Sequence, residues 1–207
     1  MIRWAAAYIA TWALLSAGIA WAVEIPADAW QWRRTLTREG QAVFGLNAPI
    51  SDLGAQVHAE SAWKPKARSP VGAYGLAQFM KPTAEWIAGA YPDLGPEPEP
   101  ANPVWALRAM AIYDKHLFDR VRASNSCDRF AKALAAYNGG ETRLHREEKM
   151  AEADGLDQML WWGNSERYNA GRSKANWREN REYPTKILFR LSPMYQRADW
   201  GWSMCND

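Results

Sequence analysis

One carboxylate sits where its neighbours would make it reactive. Glu60 lies in the run "HAESAWKPKARSPVGAYGLAQFM", residues 58–80, among small and apolar side chains. Ile50, Leu53 and Val57 recur ahead of it at helical spacing, and at about 100° per residue Glu60 falls at the edge of their stripe. A half-buried carboxyl loses hydration of its charged form, so its pKa rises. An acid that keeps its proton near neutrality can protonate a leaving oxygen, as glycosidic cleavage requires. The competing reading is a helix-rim glutamate paired with a lysine, and periodicity alone does not separate the two. Gly72, Gly75 and the amide of Gln78 follow as a tight turn.

Other chemistries are excluded by what is missing. The chain has no G-x-S-x-G and no phosphate-binding loop. His58-Ala59-Glu60 matches the H-x-E of zinc deaminases, but the P-C-x-x-C that must follow is absent. The three histidines, His58, His116 and His145, lack metal-ligand spacing, so neither a metal nor a cofactor is expected. The charges of residues 142–154 read as a solvated helix face.

The elements that must position Glu60 are helical nearly throughout. Residues 27–45 read as a helix, either a connector or the first helix of the domain. Asn47-Ala48-Pro49 starts the helix that carries Glu60. Residues 66–81 read as a loop, and Lys81-Pro82-Thr83 opens another helix. Asn102-Pro103 caps a helix that runs to about Val121, and Ser126 caps the next, which ends at Asn138-Gly139-Gly140. Residues 141–178 are mostly polar, with aromatics at Trp161, Trp162 and Tyr168. A final helix is expected over Arg181–Leu191 with Pro184 near its start. A small sheet or ribbon could lie in 64–78 or 141–178.

The 207 residues suffice for one sizeable core, and a net charge of +2 without a basic block is too small to argue for a nucleic-acid partner, so none is expected. Arg3 precedes an uncharged run, Trp4–Val23, that ends in the small-x-small pattern Ala20-Trp21-Ala22. Residues 1–22 read as a cleaved export signal or a weak retained anchor, with 4–23 able to associate transiently with a membrane. Either reading sends the rest of the chain across the membrane. In an exported chain the two cysteines, Cys127 and Cys205, are expected to form a disulfide; two unpaired thiols are the alternative.

The stretch from Glu60 to Ala84 resembles the signature of the soluble lytic transglycosylases, relatives of goose-type lysozyme. Glu60, Ser61, Pro65, Ala67, Ser69, Gly72, Ala73, Gly75, Leu76, Gln78, Pro82, Thr83 and Ala84 carry the likeness. Ala135-Ala136-Tyr137-Asn138-Gly139-Gly140 is similar to the family's A-Y-N-x-G block, and Glu179-Asn180-Arg181-Glu182-Tyr183-Pro184 to its last block. Ala77 departs from the pattern, where methionine is usual, and so do Asn180 and Pro184 in the last block.

The resemblance implies a mainly α, lysozyme-like α+β fold with a small or vestigial sheet and one catalytic domain over residues 45–207, preceded by a helix or connector at 23–44. It implies a monomer that acts on peptidoglycan glycan strands in the periplasm or cell envelope, anchored to the inner membrane or free. Glu60 would be the single catalytic acid and then the base that forms a 1,6-anhydro product. Ser69 and Gln78 would bond the acetamido group or sugar hydroxyls, or else the turn's own backbone. Gly72 and Gly75 would let backbone approach the sugar, or simply shape the turn. Tyr137 would point toward the acetamido group or Glu60, or pack in the core. Asn138 would hold the turn or the ligand, and Glu179 and Tyr183 would line the far side of the cleft. The alternatives are a goose-type hydrolase, for which Asp52 lies on the wrong face as a second carboxylate, and a non-catalytic glycan-binding protein of a secretion or phage apparatus. A phage-encoded lysis enzyme would share the chemistry. Residues 141–178 would be a sugar-binding flap, a partner surface or padding.

Overall fold

In a computed structural model, residues 24–206 are described, and the segment expected to direct export lies outside them. The order of elements is α1 Ala27–Phe44, α2 Ile50–Ser61, α3 Lys81–Ala90, α4 Pro103–Arg120, α5 Ser126–Gly139, α6 Glu141–Ala153, α7 Lys174–Thr185, a π-helical segment Lys186–Leu191, and α8 Ser192–Arg197. No strand forms among the described residues. The loop between α2 and α3 instead carries single antiparallel bridges, Arg68 to Tyr74 and Tyr74 to Phe79, the vestige of a sheet. None of the described helices is long and apolar enough to cross a membrane.

Helix α2 is the axis of the fold. Every residue from Ile50 to Val57 is buried, polar ones included, because α1, α8 and the π segment all pack on it. Gly54 is needed at one of these contacts: a Cβ there would come within 3.0 Å of the Tyr195 ring and 3.2 Å of Trp200. Buried Asp52 accepts from Ser192 Oγ at 2.6 Å and from the Met204 backbone N–H at 2.8 Å, which ties the C-terminal segment to the helix. Burial pushes its pKa up to about 6, against those hydrogen bonds. The helix stops at Ala62 and Trp63, both in the left-handed region at φ 48° and 63°. Trp63 is fully buried, and its Nε1 donates to Tyr195 Oη at 2.7 Å, so packing holds a conformation usually left to glycine. Glu60 thus occupies the last turn of a fully supported helix.

Helix α1 packs along α4 and against α2 through Leu36 and Ala29, both fully buried. Asn102 caps α4, accepting from the Val104 N–H at 3.0 Å. The cap of α5 corrects the sequence reading. Asn125 accepts from the Asp128 N–H at 2.8 Å, whereas Ser126 Oγ donates to the Met204 carbonyl at 2.8 Å. Two adjacent residues with capping side chains are alike in sequence, and the tail decided between them. At α2 the cap is Pro49, with no side-chain bond, so Asn47 does not serve there. Its carbonyl accepts from Trp202 Nε1 at 2.7 Å.

Two larger corrections concern the C-terminal half. The helix expected over Arg181–Leu191 begins earlier, at Lys174, as α7, capped by Ser173 Oγ accepting from the Asn176 N–H at 3.2 Å. Pro184 is therefore internal to α7 rather than near its start. Proline supplies no ladder donor, and the chain passes directly afterwards into the wider π segment. Helix α6 is only partly a solvated face. Glu147 is fully buried on it and pairs with Arg172 Nη1 and, at 2.7 Å, with Arg181 Nη2. Trp161 is fully buried with the Arg181 guanidinium 4.9 Å from its ring centroid. Residues 141–178 therefore brace α7 against α5, and Trp161 is core, so it cannot stack on a sugar. Cys127 and Cys205 form a disulfide with Cα atoms 4.5 Å apart, joining the start of α5 to the C-terminal segment.

Candidate active site

Three elements converge on Glu60. The end of α2 supplies the carboxyl itself. Tyr183, from the last turn of α7, donates its hydroxyl to Glu60 Oε1. Lys186, on the π segment, brings a positive charge close enough to favour the ionised carboxylate. Burial nevertheless dominates and raises the Glu60 pKa from 4.5 to about 7; the Tyr183 bond and Lys186 oppose this, and Glu179 adds a smaller upward push. The helix periodicity placed Glu60 half-buried, and its environment is that of an acid poised near neutrality.

The carboxyl opens into a groove that passes it on both sides. On one side a volume of about 520 Å³ is lined by Ser69, Gln78, Tyr113, Tyr137, Asn138 and Glu179. On the other a volume of about 710 Å³ is lined by His58, Arg68, Lys186 and Arg190. His58 shares a 3.2 Å hydrogen bond with Tyr195, and burial, helped by Lys186, lowers its pKa. No group of His, Cys, Asp and Glu among the described residues is arranged to hold a metal ion.

The glycine turn is a self-bonded scaffold. Ser69 Oγ accepts from the Ala73 N–H at 2.9 Å. Gln78, at φ 48°, donates Nε2 to the carbonyls of Ala67 and Gly75 at 3.1 and 2.8 Å. Both side chains line the groove, but their donor and acceptor on these bonds go to backbone, which leaves the amide's acceptor Oε1 as the part of Gln78 free for a ligand. Gly72 and Gly75 do not line it. Gly75, at φ 83°, meets the Pro100 carbonyl oxygen, 1.8 Å from where a Cβ would stand. The glycine serves contact with the proline-rich connector.

Tyr137 bridges the two sequence blocks: its hydroxyl donates to the Ala77 carbonyl at 2.7 Å, and its ring lies 5.8 Å from that of Phe79. The residue that breaks the family pattern, Ala77, thus offers its backbone to Tyr137 and is itself fully buried. Asn138 is held by Asn180, whose Nδ2 donates to Asn138 Oδ1 at 2.9 Å and to the Ala135 carbonyl at 2.8 Å.

Residues 51–160 match the family model described as the transglycosylase SLT domain. The chain belongs to the SLT domain family. Its curated relatives include the membrane-bound lytic murein transglycosylases F of Shewanella frigidimarina, 32% identical over 53% of this chain, and of Vibrio campbellii, 31% identical over 62%. The SLT chain spans only 21% and 23% of those two proteins. Among solved structures, the 70 kDa soluble lytic transglycosylase of Escherichia coli aligns with a TM-score of 0.59 at 23% identity, covering 84% of this chain and 25% of that one. An inactive mutant of the lytic transglycosylase Slt of Pseudomonas aeruginosa aligns with a TM-score of 0.58 at 24% identity, covering 83% and 25%. The mainly α, lysozyme-like fold of the SLT domain agrees with both. Sequence reasoning missed Lys186, Tyr113 and Asn180 as parts of the site. Lys186 stands three residues after Tyr183, a spacing that was available as a signal. Asn180 was read only as a departure from the motif.

Proposed function

We propose that the chain is a peptidoglycan lytic transglycosylase that cleaves the β-1,4 bond between N-acetylmuramic acid and N-acetylglucosamine without consuming water. The observation that carries the reading is Glu60, half-buried in a groove open on both sides, with a pKa near 7 and Tyr183 on its carboxyl. Glu60 gives its proton to the glycosidic oxygen as the C1–O4 bond breaks. The substrate's acetamido oxygen takes the place of the leaving group at C1, forming an oxazolinium. The carboxylate then removes the C6 hydroxyl proton, O6 attacks C1, and the acetamido oxygen departs, leaving a 1,6-anhydro ring and Glu60 protonated again. The hydrogen bond from Tyr183 and the charge of Lys186 favour the ionised form that this second step needs. Ser69, Gln78, Tyr137, Asn138 and Glu179 would contact the glycan or hold the surfaces that do.

The chain would act in the cell envelope, in keeping with relatives whose names call them membrane-bound, with residues 1–22 as signal or anchor and 45–207 as the catalytic domain. Mass analysis of digested cell wall tests the reading. Muropeptides one water lighter than lysozyme products are expected, and Glu60→Gln should abolish them. The hydrolase reading has one observation in its favour. Glu179 lines the same groove and its charge reaches Glu60, so a second carboxylate stands where Asp52 cannot. Products with ordinary reducing ends, lost in Glu179→Gln, would establish that reading instead.

A further inference from the structure

A second acid is buried behind Glu60 and takes no part in the steps above. Asp114, on α4, is fully buried. Gln56, also fully buried, lies one helical turn before Glu60 on α2 and donates Nε2 to Asp114 Oδ1 at 3.1 Å. The hydrogen bonding then stops short, because Gln56 Oε1 and Asp114 Oδ2 are both buried without a partner. An ionised carboxylate only accepts, so a charged Asp114 would leave two orphaned acceptors side by side. The titratable groups within reach of Asp114 are Glu60 on α2, Tyr113 on α4 itself, Tyr137 on α5 and Tyr183 on α7. All four are acids, and none would repay a negative charge.

We propose that Asp114 is a positioning residue held as a neutral acid, its Oδ2 proton donated to Gln56 Oε1, so that carboxyl and amide close a ring of two hydrogen bonds behind Glu60. One proton satisfies both orphaned oxygens at once. Burial acts in the same direction, pushing the Asp114 carboxyl well above the usual carboxylate range. The consequence rests on the reading of Glu60 as acid and then base. When Glu60 loses its proton, the new charge is backed by an uncharged ring instead of a second carboxylate. Two adjacent buried charges would hold Glu60 protonated and block its turn as base. The ring also ties the helical turn that carries Glu60 to α4.

Aspartate-selective ¹³C labelling of the Glu60→Gln chain tests the protonation state with no need for activity. At about pH 8, where Asp52 has ionised, one aspartate carboxyl should keep the chemical shift of a protonated acid. That signal should be missing from Glu60→Gln/Asp114→Asn. If the double variant fails to fold, Gln56→Met identifies the same signal by displacing it. A carboxylate shift for Asp114 at that pH overturns the proposal. In the otherwise unmodified chain, Asp114→Asn offers an amide that makes the same two hydrogen bonds. The alkaline limb of its kcat profile should therefore coincide with that of the parent. A limb displaced to lower pH means that a negative charge was removed, and overturns the proposal as well. Absence of any glycan cleavage by the parent would instead remove the reading of Glu60, while the carboxyl measurement still decides Asp114.

Discussion

At the scale of single residues, the proposed role of Glu60 makes activity as well as stability depend on pH. Its pKa rises from 4.5 to about 7 on folding, so the folded state keeps a proton that the unfolded chain releases. Folding therefore pays nothing for this group below about pH 4.5, and an increasing cost as pH climbs to about 7. Glu60→Gln removes that cost. Its stability relative to the parent should rise by about 3 kcal/mol between these limits, read from denaturant unfolding at both ends. Equal effects at the two ends would show that Glu60 is not desolvated. The same pKa requires the cleavage rate to fall above about pH 7, as the protonated acid is lost. Tyr183→Phe removes a donor to the ionised form, so the alkaline limb should move to higher pH. Loss of the hydroxyl that holds the carboxyl in place and makes Glu60 the stronger acid should lower kcat about tenfold, a loss that steady-state kinetics on purified glycan would register.

Elements set the shape of the groove through contacts far from the reacting atoms. The turn over residues 66–80 depends on Gly75 lying against Pro100 of the connector before α4. Gly75→Ala would force a Cβ to 1.8 Å from a carbonyl oxygen and strain a φ of 83°. A stability loss of about 3 kcal/mol is expected in chemical denaturation. Cleavage should weaken too, since Gln78 bonds the Gly75 carbonyl and would move with it. A variant as stable as the parent would show the connector to be free to yield. On the other wall, α7 carries Tyr183 and runs into the π segment that carries Lys186. Glu147, Arg172 and Arg181 hold that wall from behind, which gives the polar stretch between α6 and α7 a buried ion-pair contact.

For the molecule as a whole, the C-terminal segment closes the fold around α2. Asp52, Ser126 and Cys127 all reach it, by hydrogen bonds to Met204 and by the disulfide to Cys205. The disulfide spans 78 residues, a loop long enough for about 4 kcal/mol of stabilisation in the chain-entropy account. Reduction, or paired Cys127→Ser and Cys205→Ser, should lower the unfolding free energy by that order, measured with and without reductant. Glycan cleavage by the folded remainder should persist, because neither cysteine lines the groove.

Local and periodic features were legible in the sequence. The stripe of Ile50, Leu53 and Val57 determined that Glu60 would be half-buried, since helix geometry fixes angular position along the chain. Spacing alone also exposed the glycine turn, the Asn102 cap and the largely helical character. Other features depended on partners distant in sequence. Asn125 capped α5 because the tail claimed Ser126, and Glu147 was buried because two arginines from later in the chain met it. Lys186 follows Tyr183 at a spacing that was open to reading, but its meeting with Glu60 depended on the π segment packing on α2. Periodicity shows which way a side chain points, and only tertiary packing supplies what it meets there. For Glu60 that second piece is Tyr183 and Lys186 in front and the Gln56–Asp114 pair behind, the surroundings on which its proposed exchange of a proton rests.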